Sequence, residues 1–500
     1  MRIAYQNKRH LLTLQGRIAL IVPVRRCTNA ECKAYKKPVR PWEEGALALP
    51  LSETGLDVVA FVGHSRYHQH KSLKQIHQDL QQRGLSLCER SVCNLLHRYE
   101  ELLALRVSAS LPQLKTQGRV VLAIDGLQPD KGHEVLWVLR DCLSGTILLA
   151  KSLLSAAQED LATLLREVKE ALPVPICAVI SDGQNSLRPA VASVLPGVPH
   201  QLCQYHYLRE AARPVYEADR QAKKELKKRV RGIRPLEHAV RDSNEEESQV
   251  VRGYCLAVRS ALTDDGQPPL EAPGLRLQER LTAISTSLSA IEKKGGLPRL
   301  LLRLKTLVDK GLAETRAFWD PIRTGYGWVH RATHLLNNKE ELDSLTLQDH
   351  YRHLLSEMNG FVADEGLLGK AATQFLKVSR SYWDCLFQCY SHADLPRTNN
   401  ALEQQFGSYR HHERRCSGRK VCSGMTVLRG SVRLVAALST PEHALDAADL
   451  RPRCLVKLRS LRQDLKSRHG ERCQQRRFRK DPQAYLSDLE QRLLKVVLLT

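Results

Sequence analysis

The chain has 500 residues, 42% of them hydrophobic, with a formal charge of +22 and a pI near 9.5. That length exceeds one core and predicts three or four domains of about 100 to 200 residues each. The charge points to a polyanionic partner, because Lys and Arg that neutralise phosphates release counterions and bind nucleic acid; a basic enzyme unrelated to nucleic acid is the alternative. The opening "MRIAYQNKRHLLTLQGRIALIVPV" is broken by Arg and Lys and has no apolar core of signal-peptide length. No later run approaches the roughly 20 apolar residues of a membrane span, so a soluble, cytoplasmic protein without a membrane partner is expected. The 14 cysteines are scattered, which excludes a disulfide scaffold and leaves reduced thiols or metal ligands.

In chain order, "RIALIVPVRR" reads as a strand and leads into "RRCTNAECKAY", where Cys27 and Cys32 sit in a turn-like loop. Two thiolates of one knuckle are half of a tetrahedral zinc site. The remaining ligands would come from His10, His64, His68 or His70; the alternative is two free cysteines. Leu73, Ile76 and Leu80 then repeat at helical spacing, Gly84 stops the helix, and Val92, Leu95 and Leu96 resume the period. Ser86 and Glu89 read as a capping box for the second helix. The pattern fits a helix-turn-helix whose second helix offers Arg90, Asn94, His97 and Arg98 to a major groove, although any α-hairpin shares the periodicity.

From residue 119 the period changes. "RVVLAIDGLQP", "HEVLWVLRD" and "GTILLAKSL" read as an antiparallel meander, followed in order by helix, strand ("PICAVISDG"), helix, strand and helix. This order predicts an α/β layer fold with a mixed sheet. Apolar runs end in Asp125-Gly126 and Asp182-Gly183, each of which presents a carboxylate at a strand end; turn chemistry explains either one alone. Residues 206–234 read as a basic helix kinked at Pro214. Its Lys223, Lys224, Lys227 and Lys228 can track a phosphate backbone or form a solvated face with Glu217 and Glu225.

Residues 235 to about 390 read as helices separated at "DDGQPPLEAPG" and "KKGGLP", which suggests a helical insertion in the α/β domain. Trp319, Trp328 and Trp383 lie in it, and core packing is a better reading for each than stacking on a base. In "RTNNALEQQFG", Asn400 as N-cap puts Glu403 at the third helical position, able to cap; Thr398 or Asn399 as cap frees Glu403 to point at the sheet. "SYRHHERRCSGRKVCSG" reads as a polar basic loop, followed by Arg-rich helices.

Taken together, these motifs resemble the DDE transposases of bacterial insertion sequences related to eukaryotic Mutator elements. Asp125 in "AIDG", Asp182 in "ISDG", Cys203 and His206 in "LCQYH", and Glu403 in "RTNNALEQQF" match the family's two aspartates, CxxH motif and glutamate. The likeness spans residues from about 20 to 430. It implies a ribonuclease-H-like core and a catalytic triad of Asp125, Asp182 and Glu403 that holds two Mg²⁺, with Mn²⁺ as a substitute. Asp125 would bridge both metals, and Cys203 and His206 would support the site. Zn²⁺ at Cys27 and Cys32 is a further cofactor in this reading. The implied partners are double-stranded DNA, as element ends and target, and further copies of the chain in a homodimer or larger assembly; the implied location is the nucleoid. A domesticated DNA-binding protein and a nuclease without strand transfer are the competing readings. The corresponding layout is a zinc-ribbon-like region (1–50), a helix-turn-helix (51–112), the first part of the core (113–234), the helical insertion (235–390), the last part of the core (391–440) and a basic helical tail (441–500).

Overall fold

The structure is a computed structural model that describes every residue except 34, 107–110, 129–133, 244, 420–423, 441–443, 453 and 498–500. The chain divides into two compact units: Met1–Val179, Asn185–Val198 and Asn399–Thr500 form the first, and Ile180–Gln184 with Pro199–Thr398 form the second. No helix among the described residues is long and apolar enough to cross a membrane.

The first unit opens with a long antiparallel hairpin of β1 (Arg2–Thr13) and β2 (Gly16–Arg26), to which the short β3 (Pro38–Val39) is added. The sequence pattern points to the second of these strands; the charged first strand conceals its alternation. After α1 (Glu44–Leu47) come α2 (Leu56–Tyr67), α3 (Leu73–Gln82) and α4 (Glu89–Arg106). Leu56, Val59, Ile76, Leu80, Val92, Leu96 and Tyr99 fill one hydrophobic cluster, so the expected helix pair is packed together with a third helix, α2. Gly63 has the reason its type suggests, since a Cβ there would lie 2.2 Å from the Tyr99 ring. The expected capping box at Ser86 is not where the structure caps a helix. Helix α4 begins only at Glu89, whereas at α3 the Gln75 amide nitrogen donates to Ser72 Oγ and the Ser72 amide nitrogen donates to Gln75 Oε1.

Following α5 (Leu111–Gln117), the α/β region has the expected element order: β4 (Val120–Leu127), β5 (Val135–Asp141), β6 (Ile147–Leu153), α6 (Gln158–Ala171), β7 (Ile176–Ser181) and α7 (Leu187–Val194). Strands β4, β5 and β6 are an antiparallel meander. Helices α6 and α7 bury Leu161, Leu165, Leu187 and Val191 against Val120, Leu122, Ile124 and Leu139. With β8 (His200–Leu202) the strand order of the mixed five-stranded sheet is β6-β5-β4-β7-β8, and the unit boundary falls within β7.

The second unit continues with α8 (Gln204–Ala211) and α9 (Arg213–Arg229). Pro214 does not kink one long helix; it starts a new one, where its missing N–H costs nothing. Helices α10 (Arg234–Ala239), α11 (Glu246–Thr263), α12 (Pro273–Gly295), α13 (Arg299–Asn337), α14 (Ser344–Asn359) and α15 (Leu367–Leu386) follow, with breaks at the two Gly/Pro-rich stretches expected. Leu301, Leu304, Val308, Trp319, Ile322, Tyr326 and Val329 mark the buried stripe of α13. Trp319 and Trp328 are buried in this core, and Trp319 Nε1 donates to Thr315 Oγ1; Trp383 packs on Phe387 and carries Arg352 over its ring.

The chain then returns to the first unit with α16 (Asn400–Ser417), α17 (Gly424–Ser439), α18 (Leu455–Lys480) and α19 (Pro482–Val497). The stretch expected as a loop after Ser408 is instead the second half of α16, because Tyr409, His412 and Cys416 recur at helical spacing and are buried. Ala436 of α17 and, from the basic tail, Leu445, Leu450 and Leu458 join the cluster built by α2, α3 and α4. Below this cluster lies a buried ion network. Glu100, fully buried, accepts from Arg429 Nε at 2.8 Å, from Arg433 Nε at 3.2 Å and from the Tyr67 hydroxyl at 2.9 Å.

Candidate functional site

Asp125 lies inside β4 opposite Val138, not at the strand's end, because the strand continues to Leu127. Its side chain is buried, and Oδ1 accepts the Gly126 amide proton at 2.7 Å. A Cβ on Gly126 would approach Val135 Cγ1 to 2.9 Å, and neither Gly126 nor Gly183 has a positive φ. Asp125-Gly126 therefore reflects close packing inside a strand and not a turn.

Asn399 joins Asp125 to the helix that carries Glu403. It occupies the N-cap position of α16, yet its side chain makes no cap bond. Its Nδ2 donates instead to the Ile124 carbonyl at 3.2 Å and reaches Asp125 Oδ2 at 3.5 Å. With Asn399 as the cap, Glu403 falls at the fourth helical position and its amide donates to the Asn399 carbonyl, so it is not placed for a capping box. The half-buried Glu403 thus starts from a helix end pinned to the strand of Asp125. Asn399→Ala is expected to destabilise the first unit by about 1 to 2 kcal/mol, since the buried Ile124 carbonyl loses a donor; a urea melt followed by circular dichroism reads this directly.

In the second unit, Asp182 follows the last residue of β7, and its Oδ1 accepts the Gln184 amide proton at 3.2 Å. A Cβ on Gly183 would meet Tyr382 Oη at 1.5 Å, so only glycine fits there. Cys203, fully buried, is the N-cap of α8, and its amide donates to the Ser181 carbonyl at 2.8 Å; the half-buried His206 lies one turn further along. Gln201 and Gln204 brace the same corner by donating to the Leu386 carbonyl, and Gln204 also bonds Tyr390. These two glutamines went unnoticed in the sequence because their partners are more than 180 positions away.

The proposed DNA-facing residues separate into two groups. Arg90, Asn94, Lys224 and Lys228 are exposed, although Lys228 pairs with Glu225 at 2.7 Å. Lys227 is half-buried, and burial and the nearby Lys223 lower its pKa. Arg98 is tied to Glu101 at 3.1 Å, and His97 is turned inward, where burial and Arg429 lower its pKa to about 4. Lys223 corrects the sequence reading: it is buried and holds the Asp264 carbonyl at 2.6 Å and Asp265 at 2.9 Å, so it tracks no phosphate.

Cys27 and Cys32 follow β2 in a tight turn in which the Cys32 amide donates to the Asn29 carbonyl and the Lys36 amide to the Cys27 carbonyl. Among the described residues no third ligand side chain completes a metal group with them, and no disulfide joins the described cysteines. The group of three ligand side chains lies elsewhere in the first unit, at His70, His412 and Cys416, whose ligand atoms all fall within 4.8 Å of one another. His412 and Cys416 are one helical turn apart in "HHERRC", a spacing legible once that stretch is known to be helical. Burial and Arg66 push the His412 pKa down to about 3, burial and Arg415 lower that of His70, and burial raises the Cys416 thiol to about 11.

Compared with known proteins, the chain matches no protein-family model and no curated protein.

Proposed function

We propose that the protein is a DDE transposase with a ribonuclease-H-like core, which cuts DNA at the ends of a mobile element and joins the 3′ ends to a target. The reading is supported above all by Asn399, which ties the start of the Glu403 helix to the strand of the buried Asp125. Asp182, which follows β7, is the third carboxylate that the resemblance assigns. Carboxylates are hard oxygen donors, a donor set that suits Mg²⁺. Two such ions would activate the attacking oxygen and stabilise the leaving one. Asp125, Asp182 and Glu403 would hold them, and Asn399 would keep Asp125 and α16 in register. In the cut, water forms a bond to phosphorus and the 3′ oxygen leaves as a hydroxyl. In the joining step that 3′ hydroxyl attacks a target phosphodiester, and the target's own 3′ oxygen leaves.

Exposed cations that can meet a polyanion are, in the first unit, Arg90 on α4, beside the exposed amide of Asn94, and Lys466, Arg476, Arg477 and Arg479 on α18, and, in the second unit, Lys224 on α9. Lys224→Ala is expected to weaken DNA binding and to reduce the slope of log affinity against log salt by about 1. Lys223→Ala should leave that slope unchanged and destabilise the second unit instead. Fluorescence anisotropy at several salt concentrations separates the two.

The deciding experiment incubates the full chain with Mg²⁺ and labelled duplex carrying the inverted repeats that flank its gene. A strand-transfer product supports the reading. Cleavage without joining identifies a nuclease, and binding alone a DNA-binding protein; either result overturns it.

A further inference from the structure

We propose that His70, His412 and Cys416 bind one Zn²⁺ ion that fastens the connection between α2 and α3 to the last turns of α16. All three residues belong to the first unit, and the proposal does not depend on the transposase reading. Two imidazoles and a thiolate are the ligand types zinc selects, and three protein ligands leave a fourth position for water. His70 Nδ1 and His412 Nδ1 are 2.8 Å apart, and Cys416 Sγ is 3.5 Å from His412 Nδ1. Zinc–ligand bonds of about 2.0 to 2.1 Å for nitrogen and about 2.3 Å for sulfur give tetrahedral edges of about 3.3 Å between nitrogens and about 3.5 Å between nitrogen and sulfur. The His412–Cys416 edge has the required length already, the His70–His412 edge must open by about half an ångström, and the His70–Cys416 pair lies within 4.8 Å.

The backbone supplies a second, independent observation. His70 has a φ of +54°, a left-handed conformation that a residue with a Cβ rarely adopts and that costs on the order of 1 kcal/mol. The Lys71 amide donates to the Ser65 carbonyl at 3.0 Å and so closes the turn that aims the imidazole at α16. The partners hold the other ligands in place. Tyr67 stacks on the His412 ring at 4.9 Å, and Arg66 donates to the Cys416 carbonyl at 3.3 Å while Cys416 Sγ lies 3.6 Å from the Arg66 carbonyl. Neutral imidazole and thiolate are the forms that ligate. On binding, the Cys416 thiol gives up its proton to solvent and the sulfur lone pair goes to the metal. The metal-free alternative is a hydrogen bond from the Nδ1–H of one ring to Nδ1 of the other.

The test uses the full chain, with Zn²⁺ content measured by plasma mass spectrometry and Co²⁺ uptake followed by absorption. The variants are Cys416→Ser, His70→Asn, which tolerates the left-handed backbone, and the control double variant Cys27→Ser with Cys32→Ser. Wild type and control should each bind one equivalent at this site, with a thiolate-to-cobalt charge-transfer band. Cys416→Ser should lose that band, and both Cys416→Ser and His70→Asn should bind Zn²⁺ at least about tenfold more weakly with unchanged circular dichroism. If Cys416→Ser fails to fold, His70→Asn alone carries the comparison. Wild type that takes up neither metal, or a His70→Asn variant that binds as wild type does, overturns the proposal.

Discussion

Glu403→Gln is expected to bind element-end DNA as wild type does, yet to form strand-transfer product about a thousandfold more slowly. The substitution keeps the shape of the side chain and removes its charge. A neutral amide is a poorer ligand for a hard dication, and losing about 4 kcal/mol of transition-state stabilisation corresponds to roughly three powers of ten in rate. Its effect on folding should be small. Glu403 is half-buried in the first turn of α16, where a carboxylate gains only about 0.3 to 1 kcal/mol from the helix dipole. Single-turnover cleavage of labelled duplex, with binding measured in parallel, separates the two effects. A Glu403→Gln enzyme with wild-type turnover would remove Glu403 from the site and leave it a structural residue at the start of a helix.

Glu100→Ala should destabilise the first unit by about 3 kcal/mol, the lower end of the usual cost of removing one partner of a buried ion pair. Arg429 would keep Glu101 at 3.4 Å and Arg433 would keep Glu413 at 3.6 Å, but both would lose Glu100, and the Tyr67 hydroxyl would lose its acceptor. The interaction also has a pH signature. Burial alone would raise the Glu100 pKa, but Arg433 and Arg429 outweigh it and hold the carboxyl below its ordinary value near 4.5. A depressed folded-state pKa means that the stabilisation is fully present above the unfolded value and is lost as the pH falls below it. The gap between wild type and Glu100→Gln in urea melts should therefore be widest near neutral pH and narrow on acidification below about 4.5. A constant gap down to pH 3 would show that the carboxylate's charge contributes nothing.

Much of the local architecture was legible in the residues. The meander of β4 to β6, the alternation through α8, and the helical block broken at "DDGQPPLEAPG" and "KKGGLP" all follow from periods of two and 3.6 and from Gly/Pro breaks. Asp125, expected at a strand end, sits inside its strand, and Gly126 and Gly183 pack against Val135 and Tyr382. Misreadings arose where a polar surface composition hid a buried face. Residues 408–417 look like a basic loop, yet Tyr409, His412 and Cys416 are its inward stripe. Lys223 sits in a run with the exposed Lys224 and Lys228, yet it is buried and faces Asp265.

The sequence by itself determined most of the element types, their order and the net positive charge, because these depend on residues a few positions apart and on composition. Only the tertiary structure decided which side chains meet. Glu100 and Arg429 are 329 positions apart, Asn399 lies 275 positions from the Ile124 carbonyl it binds, and His70 lies 342 from His412. No local period encodes such pairs; they form because burying the apolar faces of the helices and the sheet brings these polar groups out of water together, where each must find a partner.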